Sequence, residues 1–186
     1  MTSLNNAFSY DYFDNPNGNG YQGYTEQYNG DYPSINWKEC ADYCQSLNIS
    51  SALDLGCAKG YLVKALVSSG ISAKGYDISE YALSFASGIP CYKYDIRNGI
   101  PDRADAIFAL SVLLYIDENE IASMMKSIYA ATQKIFLFSS YYDEEKQEIP
   151  DNLRLTTRSY LWWKEQIEQT GFVFLSREKY FDVYKK

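Results

Sequence analysis

The sequence predicts a doubly wound α/β domain: a mostly parallel seven-stranded sheet with helices on both faces and a C-terminal antiparallel hairpin. Three observations carry this expectation. From residue 35 onward, short apolar runs alternate with stretches of helical spacing, which implies parallel strands joined by right-handed helical crossovers. The last two β-rich runs follow one another with no helix between them. The chain has 186 residues, 46% of them hydrophobic, enough for one real core with a modest appendage.

Each element has its own signal. Trp37, Cys40, Ala41, Cys44 and Leu47 recur at helical spacing, so an amphipathic helix closes near Asn48. Ser51–Leu55 reads as the first strand, and Tyr61–Ser69 as a helix stopped by Gly70. Ala73–Tyr76 is the second strand, followed by a helix over Ser79–Ser87 with Ser79 as its cap. Cys91–Tyr94 and Ala104–Leu110 are the third and fourth strands. Asp117 and Glu120 suggest a capping box that opens a helix carrying Ile121, Met124, Met125, Ile128 and Tyr129. Ile135–Ser139 is the fifth strand, and Tyr141–Asp151 an acidic loop. Thr157 or Ser159 opens a helix through Trp162, Trp163 and Ile167 that Gly171 ends. Phe172–Leu175 and Tyr180–Tyr184 make the hairpin.

Residues 1–34 differ in kind. They hold six tyrosines among Asn and Gly, with almost no aliphatic residues and no strand or helix period. The segment is either a tail or an aromatic flap over a ligand, and disordered segments are usually poor in aromatics. The division is therefore an arm over 1–34 and a Rossmann-like domain over 35–186.

Composition excludes several chemistries. There is no histidine, which removes Ser-His-Asp and Cys-His catalysis and any imidazole metal ligand. The four cysteines have no paired metal-ligand spacing and suit core packing, so no metal is expected. A net charge of −7 without a Lys/Arg cluster disfavours nucleic acid as a partner. No apolar run approaches the ~20 residues of a bilayer span, and the N-terminus lacks a signal-peptide stretch, so a cytoplasmic location is expected.

The most informative stretch is Ser51-Ala-Leu-Asp-Leu-Gly-Cys-Ala-Lys-Gly-Tyr61, an apolar strand that runs through Asp54 and a glycine turn into a helix. Its DxGxxxG pattern departs from the GxGxxG of pyrophosphate-binding loops, and its acid suits an ammonium group better than a diphosphate. Two more acids, Asp77 and Asp95, end the second and third strands. A carboxylate at Asp77, 17 residues past Gly60, is placed to accept from ribose hydroxyls.

Leu53-Asp-Leu-Gly-Cys-Ala-Lys-Gly60 resembles the first motif of the class I, Rossmann-like S-adenosylmethionine-dependent methyltransferases. The likeness extends over roughly Ile35 to Tyr184. It includes Asp105-Ala-Ile-Phe-Ala-Leu-Ser-Val-Leu-Leu-Tyr-Ile116 and Trp162-Trp163 before Gly171-Phe172. The resemblance implies that S-adenosylmethionine is the cofactor and S-adenosylhomocysteine the product. It also implies a cofactor-binding set. Asp54, Gly56, Cys57, Ala58 and Gly60 would hold the methionine part, and Asp77 with Ile78 the ribose. Asp95 and Ile96 would meet the adenine, and the backbone of Ala109, Leu110 and Ser111 the ammonium group. Tyr24 would close over the site, with Tyr21, Tyr24 and Tyr28 on one face of a short helix. Two departures stand out. Ala58 replaces the central glycine, and Leu114-Tyr115 stands where the family commonly carries Glu-His.

Methyl transfer from a sulfonium needs alignment more than acid–base machinery, so the missing histidine is no obstacle. Ser111, Tyr115, Tyr141, Tyr142 and Asp143 are the expected acceptor-side walls, with Tyr115 and Tyr141 the candidate catalytic residues. The expected acceptor is a small molecule such as a sugar, an amine or a natural-product intermediate. The D/N-P-P-Y/F motif of exocyclic-amine DNA methyltransferases is replaced here by Ala109-Leu-Ser-Val112. The alternatives are a cofactor-binding partner protein without catalysis and, further off, a dinucleotide-dependent oxidoreductase.

Overall fold

The computed structural model describes residues 7–18, 24–26, 28–29, 32–33, 35–143 and 151–186. Its centre is one sheet of β1 (Ser51–Leu55), β2 (Ser72–Asp77), β3 (Cys91–Lys93), β4 (Ala104–Leu110), β5 (Thr132–Ser139), β6 (Val173–Arg177) and β7 (Asp182–Lys185). The spatial order is β3-β2-β1-β4-β5-β7-β6. Strands β1 to β5 pair in parallel, and β7 joins antiparallel between β5 and β6. The strand order reverses direction between β1 and β4, so their carboxyl ends diverge there and leave a crevice.

Both faces of the sheet are apolar because successive side chains point to opposite sides. Leu53, Leu55, Ile107, Phe136 and Phe138 face one way, against α4 (Glu118–Ala131) and α5 (Tyr160–Glu168). Ala52, Ala106, Phe108, Ile135 and Leu137 face the other, against α1 (Trp37–Ser46) and α2 (Tyr61–Ser68). Burial of each large side chain stabilises the fold by roughly 1.5–3 kcal/mol. Cys40, Cys44 and Cys57 lie buried in the second face, as core packing requires. Among the described residues, no helix is long and apolar enough to cross a membrane.

Three local expectations are corrected. The helix after β2 covers only Glu80–Leu83 (α3), although Ser79 caps it by accepting from the Ala82 N–H. It stops early because the Ser84 hydroxyl bonds back to the Tyr81 carbonyl and Gly88 takes a positive φ of 78°. At the start of α4 the Asp117 carboxylate caps the Asn119 N–H, and Glu120 meets Asp117 through its backbone N–H alone. In the arm, Tyr24 is not helical, and Tyr28–Asn29 pairs antiparallel with Tyr32–Pro33. A chain extended at Tyr28 cannot align it with Tyr24 on a helical face; Tyr21 lies outside the described residues. Tyr10–Phe13 is a short helical element of the arm.

Candidate active site

After β1 the chain enters a turn that only a left-handed backbone can make. Gly56 has φ +72°, Ala58 +47° and Gly60 +78°. A Cβ on Gly56 would sit 2.3 Å from Val112 Cγ2, so the loop packs against the segment after β4 with no room for a side chain. The Gly56 and Cys57 N–H groups both donate to the Tyr76 carbonyl, at 2.8 and 3.2 Å. Ala58 pays for its methyl group in a conformation that costs an ordinary residue roughly 1–2 kcal/mol. Gly60 faces inward instead, where a Cβ would lie 2.9 Å from Cys91 Sγ.

Three carboxylates stand at the ends of three adjacent strands, in different electrostatic states. Asp54 is buried, and its carboxylate makes no hydrogen bond or ion pair with any described residue. Burial first, and then the negative charge of Asp77, hold its pKa well above the ordinary carboxylate value. Asp77 is also raised by burial, offset by backbone donors. Its Oδ2 accepts from Ala58 N–H and its Oδ1 from Ser79 N–H, both at 2.8 Å. Asp95 is lowered, chiefly by Arg97, whose guanidinium forks onto it at 2.9 and 2.5 Å.

Between these acids and the end of β4 lies a cavity of about 1120 Å³, mouth included. Leu110, Ser111, Val112 and Tyr115 form its β4 side, and Ile78, Tyr94 and Ile96 its β2–β3 side. Ser111 adopts φ +52° while its N–H donates to the Ser139 carbonyl, which turns the chain away from the sheet. The remaining wall comes from the arm. Phe8, Tyr12, Phe13 and Tyr24 are buried in a cluster with Ala82 and line the cavity. Lys59, itself only 3% exposed, clamps this wall to the glycine loop. Its ammonium is 2.8 Å from both Asp14 oxygens and 2.7 Å from the Tyr24 carbonyl. Ser79 Oγ adds a bond to the Phe8 carbonyl.

On the far side of β4, two phenols meet one carboxylate. Tyr115 Oη donates to Asp151 Oδ2 at 2.8 Å, and Tyr12 Oη lies 2.5 Å from Tyr115 Oη and 3.3 Å from Asp151 Oδ2. Arg154 completes the group, with its Nε 3.4 Å from Asp151 Oδ2 and its guanidinium stacked 4.2 Å above the Tyr141 ring.

The structure thus brings Tyr24, Asp54, Gly56, Cys57, Ala58, Asp77, Ile78, Asp95, Ile96, Leu110, Ser111 and Tyr115 to one cavity. Gly60, Ala109 and Tyr141 are not on its wall: Gly60 packs against β3, Ala109 is buried within the sheet, and Tyr141 stacks under Arg154. Tyr142 forms a bridge with Arg158. Asp143 N–H donates to the Arg158 carbonyl, and residues 144–148 of the acidic stretch lie outside the described residues. Sequence reasoning missed Tyr12, Phe8, Phe13, Trp37 and Asp151. Only the aromatic richness of the arm hinted at the first three, and nothing local marks Asp151.

No protein-family model matches the sequence, and no curated protein does. Solved structures do match. Magnesium protoporphyrin IX methyltransferase from Synechocystis, with bound S-adenosylmethionine, superimposes at TM-score 0.62 and 16% identity over 80% of this chain and 76% of its own. An S-adenosylmethionine-dependent methyltransferase from Mesorhizobium loti gives 0.62 and 15% over 81% and 100%. Human N-acetylserotonin methyltransferase gives 0.61 and 17% over 82% and 52%. This chain has the fold of the class I S-adenosylmethionine-dependent methyltransferases.

Proposed function

We propose that the protein is an S-adenosylmethionine-dependent methyltransferase acting on a small-molecule acceptor. The observation that carries this is Asp54, a buried carboxylate without a hydrogen-bonding partner among the described residues, on the wall of a cavity beside a left-handed glycine loop. A cationic amino group there supplies the missing counter-charge. The other residues fit the rest of the cofactor. Asp77 has lone pairs beyond the two that its backbone donors use, and these suit ribose hydroxyls. Tyr94, Asp95 and Ile96 line the same wall, an aromatic ring and an aliphatic side chain beside one acid held by Arg97, which suits adenine.

When bound, S-adenosylmethionine supplies a methyl group already activated on a sulfonium. The chain's own part is to place an acceptor in line and keep water out, and the arm's aromatic wall serves the second purpose. Aromatic faces near a sulfonium add about 1 kcal/mol or more where the site is dry. A small acceptor is supported by the connections between β1 and β5, which carry no inserted domain. The net charge of −7 points the same way, away from nucleic acid. The neighbours from Synechocystis and human carry small molecules in their names as well.

Calorimetric titration with S-adenosylhomocysteine, and separately with NAD and NADP, is the test. Micromolar binding of S-adenosylhomocysteine alone is expected. Binding of a dinucleotide in its place overturns the reading.

A further inference from the structure

Two polar groups on the cavity wall have no partner among the described residues, and they are of opposite kind. Asp54 offers a buried carboxylate, which can accept, and Trp37 offers a buried indole Nε1–H, which can only donate. A buried donor left unmet costs about 1–3 kcal/mol, so its place on a cavity wall points to an acceptor carried by the ligand.

The fold sets Trp37 at the Asp54 end of that cavity. Trp37 is the first residue of α1, behind the Asn36 cap whose side chain accepts from the Lys38 and Glu39 N–H groups. It packs against the cluster of Cys57, Leu62 and Leu110 on the α1–α2 face of the sheet. Tyr94 and Ile96, assigned above to adenine, pack with the cluster on the opposite face. The Cys40 thiol, one turn further along α1, is pushed up to about 12, first by burial and then by Cys44 and the charge of Asp54. The start of α1 therefore lies within reach of that carboxylate's field.

We infer that Trp37 is a cofactor-binding residue whose indole N–H donates to the carboxylate of the cofactor's amino-acid end, beside the ammonium held by Asp54. This rests on the methyltransferase reading above. An amino-acid zwitterion carries a cationic donor and an anionic acceptor on one carbon, so it answers both unmet groups at once. A ligand carboxylate would ordinarily call for a cation, and the cations nearby are committed. Arg97, the one cation among the described lining residues, forks onto Asp95. Lys59 is held by Asp14 and the Tyr24 carbonyl. A charge-assisted bond from a neutral indole takes the place of an ion pair. It also leaves Asp54 without a protein cation to compete for it.

The test compares S-adenosylhomocysteine with decarboxylated S-adenosylhomocysteine, the same thioether and amine without the carboxylate, by calorimetry on the full chain. The unaltered protein should bind S-adenosylhomocysteine about tenfold the more tightly. Trp37→Phe keeps an aromatic ring and removes the N–H. It should weaken S-adenosylhomocysteine about tenfold, or about 1.4 kcal/mol, and leave the decarboxylated ligand unchanged. A tryptophan that only packs would weaken both ligands alike, and that result overturns the inference, as does full S-adenosylhomocysteine affinity in the variant. A second measurement needs no variant. The chain has three tryptophans, and with isotope-labelled tryptophan one indole N–H resonance should move downfield on adding S-adenosylhomocysteine and not on adding the decarboxylated ligand. Equal shifts with the two ligands, or equal affinities in the unaltered protein, also overturn it. Failure of S-adenosylhomocysteine to bind at all overturns the methyltransferase reading instead.

Discussion

Asp77 and Asp54 are neighbours with opposite needs, and substitutions separate them. Asp77 already serves the protein itself, because it ties Ala58 in the glycine loop to Ser79 at the start of α3. From sequence alone, Asp77→Ala should spare the fold. With both backbone donors orphaned, it should instead cost stability of about 1–3 kcal/mol along with about 1.5–3 kcal/mol of cofactor affinity. Thermal denaturation read beside calorimetry separates the two losses. Asp54 has no such internal duty, and its raised pKa has a definite sign. Its ionised form is disfavoured by folding, so its contribution to stability falls as pH rises from the ordinary carboxylate range through the raised value. A ligand ammonium reverses this preference. In that same window, binding of S-adenosylhomocysteine should expel a proton, seen as a buffer-dependent heat, and Asp54→Asn should abolish the difference.

The arm is the element whose behaviour decides most. Its described residues are pinned at Lys59–Asp14, at Ser79–Phe8 and at the Tyr81 hydroxyl on Asp14, 2.6 Å away. Two of these anchors stand on segments that also present Asp77 and the glycine loop, so the arm shares its footing with the proposed cofactor site. Asp14→Asn should speed hydrogen exchange across residues 7–18, and S-adenosylhomocysteine should restore protection. Deletion of residues 1–30 should leave a domain that binds S-adenosylhomocysteine about tenfold or more weakly, a loss of about 1.4 kcal/mol. Unchanged exchange and affinity would mean that the arm only packs. Helix α3 teaches a related lesson about elements. Its cap was legible in Ser79, but its length was not, because Ser84 competes for backbone acceptors and apolar spacing says nothing of that.

At the scale of the molecule, the sheet was legible because apolar runs of strand length alternate with helical spacing, and no other signal competes with that pattern. Strand β4 matches its expected limits to the residue, since Ala104–Leu110 is apolar almost throughout. That Asp54, Asp77 and Asp95 come to one cavity was legible too, because each sits at a strand end in its own local motif. The cluster of Tyr12, Tyr115 and Asp151 was not. Tyr12 and Asp151 are 139 residues apart and meet only through the fold, so no local pattern announces them. Ligand linkage offers a check on the whole. At a hundredfold excess over its Kd, S-adenosylhomocysteine should stabilise the fold by about 2.7 kcal/mol and raise Tm by roughly 5–10 °C. The clamp of Lys59 on Asp14 also bears on time. One end of the cavity is held rigid by backbone bonds to Asp77, while the other is walled by a segment that a side-chain ion pair must seat. Association should then have two phases, a fast one proportional to ligand concentration and a slower one independent of it. The slow phase is the seating of the arm, it vanishes in the 1–30 deletion, and in the intact protein it sets how long product stays.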